Sequence, residues 1–305
     1  MRVGVDTGGT FTDVVTDDGR VAKVPSTPAD PGDAVRSGVD LVAEADRPEA
    51  LAHGTTVATN AVLERKGATV TLVTNAGFAD VIEIARQDRP SLYDHWVDRP
   101  EPLVERDHRI EVRGRLAADG TELEALSLDD LGELPEDTEA VAVCLLHSDL
   151  NPAHEAAVAA ELERRGLDVS KSCEVSPQFR EYERTATTVA NAYLRPLCRT
   201  YLGGLDGVAR DVSVMTSAGG LASLDDGARF PAALLLSGPA GGVRAGAAVA
   251  LSSGWPDAVT FDMGGTSTDV CLILDGHPAP AGERSVAGLP IRLPSLDVHT
   301  VGAGG

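Results

Sequence analysis

The chain has 305 residues, with 26 Lys and Arg against 47 Asp and Glu, for a net charge of −21. That balance excludes nucleic acid or an anionic membrane as a partner, and no apolar run is long enough to cross a bilayer. The length allows two domains, the 43% hydrophobic content supplies their cores, and the compartment expected is the cytoplasm.

Only Lys23, Lys66 and Lys171 are lysine. An acidic, lysine-poor surface of halophile type suits a protein kept soluble by charge in a salt-rich cytosol. The favoured reading is a lineage-wide adaptation without bearing on function. The cysteines Cys144, Cys173, Cys198 and Cys271 are widely spaced and form no C-x-x-C pair. They are expected as small core residues in a reducing compartment.

The chain opens on strand-like Val3 and Val5, Asp6, a turn through Thr7-Gly-Gly-Thr10, and strand again at Val14 and Val15. Far along the sequence Val259-Thr-Phe-Asp-Met-Gly-Gly-Thr-Ser-Thr-Asp-Val-Cys271 repeats it. Asp6 falls on Asp262, Gly8, Gly9 and Thr10 on Gly264, Gly265 and Thr266, and Thr12 and Asp13 on Thr268 and Asp269. A single copy is equally well an ordinary hairpin with Asp and Thr as turn formers. Two copies point to a nucleotide loop. The glycines permit unusual backbone angles and close approach, and successive amides suit an anion. Carboxylates beside phosphate make sense with Mg²⁺ between them, so Asp6 and Asp262 are the candidate metal ligands.

A strand at 21–24 and a helix from about Asp30 to Glu44 follow, with Val35, Val39 and Val42 on one face. Leu51 to Gly54 is a short strand running into a helix capped by Thr55 or Thr56. His53 and Asn60 then lie at a strand end, where open α/β sheets bind ligands. A buried, hydrogen-bonded histidine is the competing reading of His53, and Asn60 suits a structural role. Arg86 and Arg89 sit in a loop that could grip a carboxylate or an amide, or simply face solvent. Residues 110–116 are expected as one strand of a hairpin-like insert, 140–146 as a buried strand, and 151–165 as a helix. His154 and Glu155, adjacent on that helix, are not expected to share a metal. Residues 178–194 read as a charged, solvated helix with little role for Arg180 or Arg184. Ser237 to Gly242 is a Gly-rich loop feeding a helix from Val243; it is an anion site or a packing contact.

These stretches resemble the hydantoinase/oxoprolinase family within the actin-like ATPase superfamily. The resemblance is carried by 6–13, His53 to Asn60, Arg86 to Pro90, Ser176 to Arg184, Ser237 to Gly242, Phe261 to Asp269 and Asp297 to Gly305, across the whole chain. It implies an α/β, ribonuclease-H-like fold with mixed sheets flanked by helices. It implies an N-terminal domain over 1–182 and the start of a second over 183–305, the second lobe incomplete. Phe261 and Val270 would then be left partly uncovered. The activity implied is ATP-dependent hydrolysis of a cyclic amide, of hydantoin or 5-oxoproline type, through phosphorylation of the amide oxygen. ATP and Mg²⁺ are the implied cofactors. Asp6, Asp13, Asp262 and Asp269 would be catalytic. Gly8, Gly9, Thr10, Thr12, Gly264, Gly265, Thr266 and Thr268 would hold phosphates. His53, Asn60, Arg86 and Arg89 would meet the substrate. The implied partner is a hydantoinase B-type subunit or a C-terminal half. Two alternatives stay open: an acetone-carboxylase-like β subunit phosphorylating ketone and bicarbonate, or a non-catalytic chain that binds nucleotide or a partner.

Overall fold

The computed structural model describes residues 1–27, 30–43, 47–263 and 268–301. In chain order the elements are β1 (Arg2–Thr7), β2 (Phe11–Thr16), β3 (Val21–Pro25), α1 (Pro31–Ala43), β4 (Ala50–Thr55), α2 (Val57–Leu63), β5 (Val70–Asn75) and α3 (Val81–Ile84). Then come β6 (Arg109–Val112), β7 (Arg115–Leu116), β8 (Glu122–Glu124), β9 (Ala140–Val143), α4 (Ala153–Arg164), β10 (Val169–Lys171), α5 (Ser172–Val175) and α6 (Glu181–Gly203). The last labelled elements are β11 (Asp211–Met215), β12 (Leu221–Ser223), α7 (Leu224–Arg229), α8 (Ser237–Ser252), β13 (Ala258–Met263) and β14 (Thr268–Leu274).

The chain forms two compact units, the first comprising 1–64, 197–284 and 293–305, the second 65–196 and 285–292. The first unit carries a mixed six-stranded sheet in the order β12-β11-β4-β1-β2-β3. β1 pairs in parallel with β4 and antiparallel with β2, so alternating Val3 and Val5 are buried while Asp6 surfaces at the strand end. Helix α1 buries Val35, Val39 and Val42, as the spacing predicts. It lies so close to the sheet that a Cβ on Gly38 would sit 2.6 Å from Val14 Cγ2. A second sheet contains β13, β14 and residues 277–278, with 299–301 paired to β14. Its inner face, through Cys271, packs with Ala240 and Val243 of α8 and with Leu296.

The second unit is built on an all-parallel sheet, β10-β9-β5-β6. Every residue of β5 and β9 is buried, as befits parallel strands covered on both faces. Leu131, Val141, Val143, Val158 and Leu162 form its core.

Three expectations need correction. Residues 110–116 are not one hairpin strand. Residues 109–112 join the edge of the parallel sheet, and 115–116 form a separate hairpin with β8 after Gly114, which has φ +136°. Helix α8 does not wait for Val243. It starts at Ser237, and the glycines lie within it. Helix α6 is not solvated at Arg184, whose side chain is fully buried, with Nη1 donating to Asp149 Oδ1 at 2.7 Å and Nη2 to the Leu145 carbonyl at 2.8 Å. An ion pair and a carbonyl satisfy the charge that periodicity alone would have sent to water.

Candidate active site

Both copies of the repeat are antiparallel hairpins, and they pair in the same register. In the first, Asp6 lies opposite Asp13; in the second, Asp262 lies opposite Asp269. The identical offset follows from identical spacing between the aspartates and the Gly-Gly turn. Gly264, Gly265 and Thr266 fall outside the described residues.

In the first turn the Gly8 amide donates to the Phe11 carbonyl at 3.0 Å, and the Ser26 hydroxyl holds the Gly8 carbonyl at 2.7 Å. Neither Gly8 nor Gly9 has a positive φ, so the backbone angles do not explain them. What they contribute is a missing side chain: a Cβ on Gly9 would meet nothing within 4 Å. The turn surface is open to an approaching group, with exposed Thr10 on its rim.

Asp6 is the focus of the unit. It is paired with Asp13 on β2 and with Gly54 on β4. A Cβ on Gly54 would lie 2.9 Å from Asp6 Oδ1, and one on Gly238 in the first turn of α8 would lie 3.6 Å away. Three elements thus clear space for one carboxylate. The α8 start is held there by the Ser237 hydroxyl on the Thr55 carbonyl at 3.1 Å and by the Leu236 amide on Thr59 Oγ1 at 2.9 Å. Leu236 adopts a left-handed conformation, and no side chain caps the helix. Asp6 keeps contact with water, yet the surrounding protein partly desolvates it. That desolvation first, then the charges of Asp13 and Asp262, push its pKa above the usual carboxylate value. The two hairpins therefore bring Asp6 and Asp262 within electrostatic reach of one another. Asp13 has a counter-ion that the sequence reading missed: Lys23 Nζ meets both of its oxygens, at 2.7 and 2.8 Å, and lies over the Phe11 ring. Asp269 accepts a hydrogen bond from Thr300 at 2.6 Å.

The donor set fits a hard divalent cation. A carboxylate crowded by others is relieved by positive charge, and oxygen ligands suit Mg²⁺. The open glycine turn and the uncapped α8 start add amide groups suited to phosphate.

Other expected site residues lie elsewhere or serve as supports. Thr12 is fully buried, and its hydroxyl bonds Thr7 at 3.4 Å and Ser26 at 3.1 Å, so it braces the hairpin from inside. Thr268 is likewise buried. His53 is buried, with Nε2 2.5 Å from the Tyr201 hydroxyl. Burial lowers its pKa to about 4 and raises that of Tyr201 to about 12, so both are neutral at pH 7. Asn60 Nδ2 bonds Thr56 Oγ1 at 3.3 Å within α2, whose Thr56 hydroxyl in turn caps the Thr7 carbonyl at 3.1 Å. Arg86 and Arg89 belong to the second unit, where Arg86 Nε holds Glu183 at 2.7 Å and Arg89 is exposed. The only sequence signals for Gly54 and Gly238 were their places in His53-Gly54 and Ser237-Gly238. His154 reaches Glu122 at 2.7 Å, and Glu155 accepts the Leu145 amide at 2.8 Å, so the two do not converge.

Comparison with known proteins gives concordant results. A model of the hydantoinase/oxoprolinase N-terminal region matches residues 2–166, and one described as hydantoinase/oxoprolinase matches 184–305. An uncharacterized protein of Methanocaldococcus jannaschii is 36% identical, and the alignment covers all of this chain and 50% of that protein. The caprolactamase subunit alpha of Pseudomonas jessenii is 35% identical, with 48% of it covered. The structure of ATP-dependent caprolactamase from the same organism superposes with a TM-score of 0.86 at 32% identity, covering all of this chain and 48% of that one. Nucleotide-free acetone carboxylase gives a TM-score of 0.83 at 29% identity, with the same coverage. The chain thus spans about half the length of these relatives. The mixed α/β architecture, of the actin-like ATPase type, is shared with both solved structures. With family models matching across both sequence halves, the chain belongs to the hydantoinase/oxoprolinase family.

Proposed function

We propose that this chain supplies the nucleotide-binding and phosphoryl-transfer portion of an ATP-dependent cyclic-amide hydrolase. The single observation that carries the reading is the pair of hairpins in identical register, with Asp6 partly desolvated and also facing the charges of Asp13 and Asp262. In the reaction the amide oxygen attacks the terminal phosphorus of ATP and ADP leaves. Water then adds to the activated carbon, the ring C–N bond breaks with the amine leaving protonated, and a second water hydrolyses the resulting acyl phosphate to a carboxylate and phosphate. Asp6 and Asp262 would hold Mg²⁺, which would supply charge neutralisation for the phosphates. Gly8, Gly9 and Thr10 leave the first turn open for the phosphates. Asp13, fixed by Lys23, keeps negative charge beside Asp6 and strengthens its hold on a cation. Donors already in place stabilise charge as it develops in transfer. Turnover requires the further polypeptide that the longer relatives contain, or a partner subunit.

The test is calorimetry of Mg²⁺·ATP with the chain and with Asp6→Ala, followed by ATP turnover with the complete assembly. Micromolar binding lost in Asp6→Ala, and turnover stimulated by a lactam, are expected. Stimulation by acetone with bicarbonate instead of a lactam would overturn the substrate class.

A further inference from the structure

The second unit holds a cleft of about 580 Å³ lined by Arg86, His147, Asp149, Phe179, Arg180 and Glu181. That volume suits a small ligand. Two of its charges are already committed: Arg86 to Glu183 and Asp149 to the buried Arg184. Two are not. Among the described residues the side chain of Glu181 has no hydrogen bond or ion pair, and the Arg180 guanidinium only stacks on the Phe179 ring, with its centre 5.6 Å from the centroid. The cleft therefore presents one uncompensated cation and one uncompensated anion on consecutive residues, beside an aromatic face.

The backbone around it is strained. Of the eight non-glycine residues with positive φ among the described residues, four lie on or beside this lining: Ala85 at +53°, Gln87 at +58°, His147 at +60° and Arg180 at +85°. Such conformations persist where surrounding structure enforces them, and they gather at ligand sites. Beneath the cleft, Arg184 ties Asp149 to the Leu145 carbonyl and so fixes the segment that carries His147.

We propose that this cleft binds a small zwitterion of the amino-acid class, its carboxylate on Arg180 and its ammonium on Glu181. The assignment of that zwitterion as the ring-opened product rests on the proposed function, since lactam hydrolysis creates an amine and a carboxylate in one molecule. The binding itself does not depend on that reading. Arg180 is suited to the carboxylate because its planar fork meets two oxygens while its face stays on Phe179.

The experiment is calorimetric titration of the chain with 6-aminohexanoate and with glutamate, using hexanoate and hexylamine as single-charge controls. Arg180→Gln and Glu181→Gln are titrated in parallel, and Mg²⁺·ATP binding is measured on the same samples. At least one zwitterion is expected to bind at least tenfold more tightly than both controls, with each variant weakening it at least tenfold and leaving Mg²⁺·ATP binding unchanged. Failure of both zwitterions to bind, or unaltered affinity in the folded variants, overturns the proposal even if Mg²⁺·ATP binds. Zwitterion binding without nucleotide binding would instead count against the proposed function and leave the cleft assigned. Should Arg180→Gln fail to fold, Glu181→Gln carries the test, because it keeps the size of a half-exposed side chain that makes no hydrogen bond or ion pair among the described residues.

Discussion

Asp6 shows how a site can cost stability. Its carboxylate is crowded by Asp13 and Asp262, and its pKa is raised. A carboxyl with a raised folded pKa stabilises the fold below its unfolded value and loses that contribution as pH rises through the folded one. Asp6→Asn should therefore raise the melting temperature at pH 7, by an amount corresponding to about 0.5 kcal/mol, kept small by water contact. Mg²⁺ should stabilise the native chain and not the variant. Thermal melts with and without Mg²⁺ check both statements. His53 has the opposite pH sense. Its folded pKa, about 4, lies below the ordinary value of 6.5. Its neutral burial is cost-free above about 6.5, and stability drains away as pH falls from there toward 4, by up to roughly 3 kcal/mol. Urea unfolding across that range should show a shallower acid slope in His53→Gln. The residue types of both were legible in the sequence; their neighbours were not. The Tyr201 hydroxyl on His53 comes from 148 residues away.

Elements are positioned here by glycines that permit close approach. The β1–β4 register puts Gly54 beside Asp6, where a methyl group would fall within 2.9 Å of Oδ1. Gly54→Ala should displace the carboxylate and weaken Mg²⁺·ATP binding at least tenfold while the fold persists, which calorimetry beside a circular-dichroism melt would read. In α6 the buried Arg184 holds Asp149. Arg184→Met should destabilise the chain by about 3–5 kcal/mol, since it strands a carboxylate, and Asp149→Leu in the same chain should recover part of the loss; denaturant unfolding measures both. The α1 stripe and the apolar β9 were readable from period and composition, whereas the full burial of β5 was not, since Thr71, Thr74 and Asn75 alternate with its apolar residues. The burial of α6 was not, because a charged residue looks solvated until a partner from another element is placed against it.

At the scale of the whole molecule two surfaces stand out. The outer face of the second sheet exposes Val259, Phe261, Met263, Leu272 and Leu274, each between 46% and 64% accessible. An apolar face of this kind marks an interaction surface. The isolated chain should bind an apolar dye there, and Val259→Thr with Leu272→Thr should cut the fluorescence by about half, with no loss of secondary structure. The net charge of −21 acts on everything else. Self-repulsion is screened by salt, so the melting temperature should rise between 0.1 and 1 M NaCl, on the order of the screening expected for exposed charges. Among the described residues no helix is long and apolar enough to cross a membrane.

By itself the sequence determined the repeated strand–turn–strand, the match of Asp6 with Asp262 and of Asp13 with Asp269, the helical stripe of α1, and the family. Those features depend on spacing within a few residues, and local backbone geometry converts spacing directly into register. Only the tertiary structure decided that Gly54 and Gly238 border Asp6, that Lys23 pairs with Asp13, and that Arg184 is buried beneath a cleft where, among the described residues, Arg180 and Glu181 make no ion pair. Each of these depends on which distant segments meet, and that is set by packing of the sheets and helices, where a neighbour in space leaves no mark at a fixed distance along the chain.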